Sequence, residues 1–173
     1  MAVGSITNAH VTYSDNAPTV AVPSGAVSGD IFLMWVSYAS DVNTVTWPSG
    51  FTEVGTYANN TTLASSLRAA IRVATGAESG NFVASTSSWQ QWCASCAVIT
   101  GTSSTVDDVE SGSTYVYATS ATLTGGSITT TGADRDIFWL TCANSGGATA
   151  TATLTPPSGF RVSSSAPPAR SEE

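Results

Sequence analysis

Lysine does not occur in this 173-residue chain, and five arginines carry all of its side-chain positive charge against 12 Asp and Glu, for a net charge of −7. Phosphate binding on nucleic acid needs clustered Lys or Arg, and so does docking on an anionic membrane surface. Neither nucleic acid nor membrane is therefore an expected partner. Histidine occurs once, as His10. A Ser–His–Asp or Cys–His arrangement would have to use it, and no G-x-S-x-G elbow presents a nucleophile. His10 reads as an ordinary strand residue. No apolar stretch reaches the roughly 18 residues that a membrane-spanning helix requires. The N-terminal segment MAVGSITNAHVTY has neither a basic n-region nor an apolar h-region. It predicts synthesis in a cytoplasm without a signal peptide, or a chain whose signal has already been removed.

Cysteine is scarce as well, with Cys93, Cys96 and Cys142 making an odd count that argues against a complete disulfide framework. Cys93-Ala-Ser-Cys96 is formally a C-x-x-C, but a redox pair needs its first thiol at a helix start. Here it lies in an apolar strand, where positions three apart face opposite sides, so both thiols read as buried and inert. One His and three Cys with a single close pair do not compose a zinc site. No cofactor is expected. Charged residues make up only 10% of the chain, against roughly 25% in an average globular protein. Apolar residues stand at 42%, which separates this composition from that of a disordered chain. Ser and Thr together account for about 30%, a usage that suits short, solvent-rimmed strands.

What is present is organised around residues 22–54. Ile31-Phe-Leu-Met-Trp-Val36 is a continuous apolar run of strand formers opened by Gly29-Asp30. It is too short for a free-standing helix and suits a strand buried on both faces. The chain then repeats itself: Asp136-Ile-Phe-Trp-Leu140 echoes Asp30-Ile-Phe-Leu-Met34, and Pro156-Pro-Ser-Gly-Phe160 echoes Trp47-Pro-Ser-Gly-Phe51. Asp30 and Phe51 are 21 residues apart, Asp136 and Phe160 are 24, and the copies lie 106 to 109 residues apart. That is wider than the periods of roughly 20–50 residues that mark solenoids. It fits one β-domain whose halves reuse a strand–loop–turn unit.

Strands are expected over 3–13, 19–22, 30–38, a short piece ending at Trp47, 51–57, 63–73, 81–85 and 89–100. More follow over 114–119, 127–131, 136–142, 149–154 and 160–163. The 63–73 segment is rich in helix formers, yet it alternates strictly. Leu63, Ser65, Leu67, Ala69, Ile71 and Val73 form one face, and the other carries Arg68 and Arg72 on the side read as solvent. Ten or more short strands with turn signals every 8–12 residues predict an all-β chain, a single β-sandwich of jelly-roll type with an internal strand–loop–turn duplication. Residues 1–165 form this domain and 166–173 a Pro-rich flexible tail. A chain of this length should bury roughly 70% of its unfolded surface. Pro167-Pro168 cannot donate ladder hydrogen bonds, so the second half leaves a sheet edge open or covered by a neighbouring chain.

The dense acidic group Asp107, Asp108 and Glu110 reads as a solvated loop, with a Ca²⁺ held together with backbone carbonyls as the functional alternative. Its carboxylates do not supply the spaced acid–base pair of a glycosidase, and no catalytic residue is assigned. Asp134-Arg135-Asp136 reads as a turn pair leading into a strand. Among the aromatics, Trp47, Phe51 and Tyr57 lie near one loop edge, and Tyr115 and Tyr117 share a strand face. They could stack on sugar rings or anchor a protein partner. The competing reading fills the core with Trp35, Trp89, Trp92 and Trp139 and plugs its end with Trp47.

Pro23-x-Gly25-x-x-x-Gly29-Asp30, the apolar strand Ile31–Val36 and the Trp47–Phe51 turn are followed by Arg72-Val73-Ala74, then by Asp136–Leu140 and Pro156–Phe160. Together they resemble a β-sandwich module that recurs in tailed-phage virion proteins and some large bacterial surface proteins. The resemblance covers residues 18–163. It implies a non-enzymatic virion structural protein, a capsid decoration or cement protein or a tail or head appendage. It further implies contacts with other virion proteins, that is capsid or tail subunits, and the unfinished sheet edge adds the expectation of a homo-oligomer such as a trimer. A glycan-binding module using the loop aromatics is the alternative. A Lys-free, Ser/Thr-rich, acidic surface that resists non-specific adhesion agrees with the virion reading.

Overall fold

The computed structural model describes residues 2–38, 44–59, 65–88, 90–101 and Leu140. All nine elements among the described residues are strands. Five form one antiparallel sheet: β1 (Ala2–Asp15), β3 (Ile31–Tyr38), β5 (Thr52–Asn59), β6 (Ser65–Val73) and β9 (Gln90–Thr100). Their order is β1-β9-β3-β6-β5. Two short ribbons complete the set, β2 (Thr19–Ala21) with β7 (Asn81–Val83) and β4 (Val45–Thr46) with β8 (Ser85–Thr86).

β3 is the centre of the sheet because it is the strand with no polar face. It pairs along its whole length on both sides, from Ile31 opposite Val73 and Ile99 to Tyr38 opposite Ser66 and Trp92. Phe32, Met34, Val36 and Tyr38 point to one side and are buried, as are Trp92, Ala94, Cys96 and Val98 on the neighbouring β9. The ribbons lie over this side and contribute Val20, Val45 and Phe82, with Ala74 and Ala84 from the adjoining turns. Phe82 meets Phe32 and Phe51 edge-on, with centroids 5.1 and 5.0 Å away, the arrangement that aromatic quadrupoles favour. On the reverse side Ile31, Leu33, Ala69 and Ile99 are buried, with Trp35, Val54, Ile71 and Leu140 packed against them. Each fully buried Phe, Leu, Ile or Met contributes about 1.5–3 kcal/mol.

The turn that opens β3 explains the Gly29-Asp30 pair. Gly29 has φ +94°, a left-handed conformation that costs a side-chain-bearing residue free energy. Asp30 is buried, and its Oδ2 accepts the Val27 N–H at 2.9 Å. The Gly29 N–H then donates to the Ala74 carbonyl at 2.9 Å, and the Ala74 N–H to the Asp30 carbonyl at 2.7 Å. One turn thus fixes where β3 starts and where β6 ends.

Two expectations change at β6 and β7. β6 is a strand, but Arg68 and Arg72 share the face of the main core. Arg72 stands opposite Phe32, Ala70 opposite Met34 and Arg68 opposite Val36, and Ala70 and Ser66 are almost wholly buried. The guanidiniums lie at the margin of this core, with side chains 19% and 23% exposed and heads held in ion pairs. Their apolar stems continue the core surface, as long cationic side chains do. The strand expected over 81–85 divides into β7 and β8, because the Ala84 N–H turns to the Pro18 carbonyl and the Thr86 N–H to the Asn16 carbonyl. Cys93 and Cys96 face opposite sides, as read, but only Cys96 is fully buried and Cys93 is half-buried. Burial raises both thiols above their ordinary pKa, Cys96 to about 12. The strand expected over 136–142 is described only at Leu140, which belongs to no strand. The strands expected over 114–131 and 149–163 and the tail lie outside the described residues.

Met34→Ala should cost about 2–5 kcal/mol, as for a buried large-to-small change that leaves a cavity. Val83→Ala, on the exposed side of the β2–β7 ribbon, should stay within about 0.5 kcal/mol. Urea denaturation with an unchanged m-value checks both.

Candidate functional site

The turn Trp47-Pro-Ser-Gly-Phe51 joins β4 to β5 and carries two of the aromatic candidates. The Phe51 N–H donates to the Pro48 carbonyl at 3.1 Å, and Gly50 takes φ +85°, the conformation a turn of this kind requires at its third position. A Cβ at Gly50 would also stand 3.2 Å from Arg72 Nε and 3.3 Å from its Cδ, so glycine also makes room for the arginine. Arg72 Nη1 donates to the Ser49 carbonyl at 3.2 Å and Nη2 to Glu78 Oε1 at 3.0 Å. Its guanidinium carbon lies 5.8 Å from the Phe82 ring centroid, within cation–π range.

Trp47 and Phe51 are both half-buried and packed on the main core. Trp47 Nε1 donates to Glu53 Oε2 at 2.8 Å, and Arg68 Nη1 donates to Glu53 Oε1 at 2.9 Å. Arg68 Nε donates to the Tyr38 hydroxyl at 3.0 Å. The sheet register makes this chain possible. Glu53 is opposite Ala70 and Tyr38 opposite Ser66, so Arg68 is the diagonal neighbour of both. The extra residue in β5 between Glu53 and Gly55 is a bulge, which locally re-aims a strand.

Glu78 is fixed differently. Burial opposes its charge and is the largest single influence. It is outweighed by hydrogen bonds from the Thr75 N–H and Oγ1 and the Gly76 N–H, at 2.8, 2.8 and 2.9 Å, joined by its own N–H. The carboxyl is held at about 2, down from 4.5. Tyr38 is pushed above its ordinary value by burial, against the pull of Arg68.

The structure therefore brings Trp47 and Phe51 to one end of the core and surrounds them with two charged clusters, Glu53–Arg68 and Arg72–Glu78. Tyr57 lies in β5 opposite Leu67. Tyr115, Tyr117, Asp107, Asp108 and Glu110 lie outside the described residues. His10 pairs in register with Cys93, and no group of three or more His, Cys, Asp or Glu among the described residues is placed to hold a metal. Glu53, Arg68, Arg72, Glu78 and Tyr38 were not among the sequence candidates. Thr75-x-x-Glu78 could have been read, since a hydroxyl three residues before a Glu is a reciprocal capping signature. Glu53, Arg68 and Tyr38 have no such local signal.

Glu78→Gln tests the second cluster. Because the folded pKa is depressed, the stabilisation is complete above about pH 4.5 and disappears as pH falls toward 2. The variant should be less stable at pH 7 by about 1.5–3 kcal/mol, the scale of hydrogen bonds to a charged group. Its stability should fall less than that of the parent between pH 4.5 and 2, as followed by thermal unfolding across that range. Glu53→Gln weakens a more exposed bridge and should cost no more than about 1 kcal/mol.

No family model, no curated protein and no solved structure matches this chain.

Proposed function

We propose that the chain is a non-enzymatic structural protein of a tailed-phage virion, a jelly-roll-like β-sandwich with an internal strand–loop–turn duplication. It is made in the host cytoplasm and mounted on the particle surface as a capsid decoration or cement protein or as a tail or head appendage. In this reading it acts as a homo-oligomer and stabilises the assembly by burying surface against capsid or tail subunits. The observation that carries the reading is what the motif residues do. Asp30 and Gly29 lock the start of β3, and the Ser49 carbonyl and the space at Gly50 receive Arg72. The residues on which the resemblance rests thus build rigidity, which suits a subunit whose task is contact area. Stable interfaces bury about 1,200–2,000 Å², a surface that a rigid sheet edge and its loops can present with little ordering cost.

A second reading, a glycan-binding module, is favoured by one feature. The half-buried indole of Trp47 donates to the Glu53 carboxylate, which also accepts from the Arg68 guanidinium. An aromatic ring beside hydrogen-bonding groups is a surface on which a sugar ring can stack.

Light scattering on the purified chain, combined with co-sedimentation on particles lacking it, tests the first reading. A closed oligomer such as a trimer, with saturable sedimentation, is the expected result; a monomer that stays in the supernatant contradicts it. A glycan array with and without calcium tests the second, which requires a hit that Trp47→Ala abolishes.

A further inference from the structure

We draw no further inference here: the strongest candidate, the buried indole N–H of Trp92 on the β9 face of the main core, is a single donor without a hydrogen-bond partner, and nothing in the structure shows what acceptor would reach it.

Discussion

Everything described in this molecule depends on one strand being dry on both sides. β3 carries Phe32, Met34 and Val36 on one face and Ile31 and Leu33 on the other, all buried. Backbone groups in such a place cannot turn to water, so both edges must be paired, and both are, along the full strand. That requirement brings β6 and β9 to its sides, although they lie far apart in sequence. Loop-closure entropy opposes such long-range pairing, and the area buried on two faces is what offsets it.

The polar groups follow from the same constraint. At the margin of the main core, β6 turns two arginines inward, and each must end on a partner. Arg68 reaches Glu53 and Tyr38, and Arg72 reaches Glu78 and the Ser49 carbonyl. These bonds tie the turn before β5 and the turn after β6 to the sheet, so the loop aromatics Trp47 and Phe51 stand on a fixed base. The virion reading and the glycan reading both rest on that rigidity and differ in what the fixed surface meets. One buried group among the described residues stands apart: Trp92 Nε1 lies in the core without a hydrogen-bond partner, a place where a donor costs stability.

How legible this was depends on the distance over which each signal acts. Ile31–Val36 could be read as a two-sided strand because a short, unbroken apolar run has few other uses. The alternation of Leu67, Ala69, Ile71 and Val73 correctly outweighed the helix propensity of their neighbours. Alternation, however, separates two faces without saying which of them is solvated: the arginine face lies on the main core, with Ser66 and Ala70 buried, and Ala69 on the other face is buried too. The division of 81–85 into two ribbons came from backbone donors claimed by Asn16 and Pro18, partners about 70 residues away that no local pattern reveals. The Glu53–Arg68–Tyr38 chain needs the register of three strands before its members become neighbours. Trp47 and Phe51 were found as aromatics, while the charged side chains that fix Trp47 and crowd its turn were not.

Hydrogen exchange of the backbone amides, resolved by residue, tests the central role of β3 most directly. A strand paired on both edges and buried on both faces opens only when the whole domain unfolds. The amides of β3 should therefore be the slowest in the chain, exchanging with a free energy equal to that of global unfolding, with β1 and β5 measurably faster. Amides of β3 that exchange as quickly as those of β1 or β5 would contradict the account.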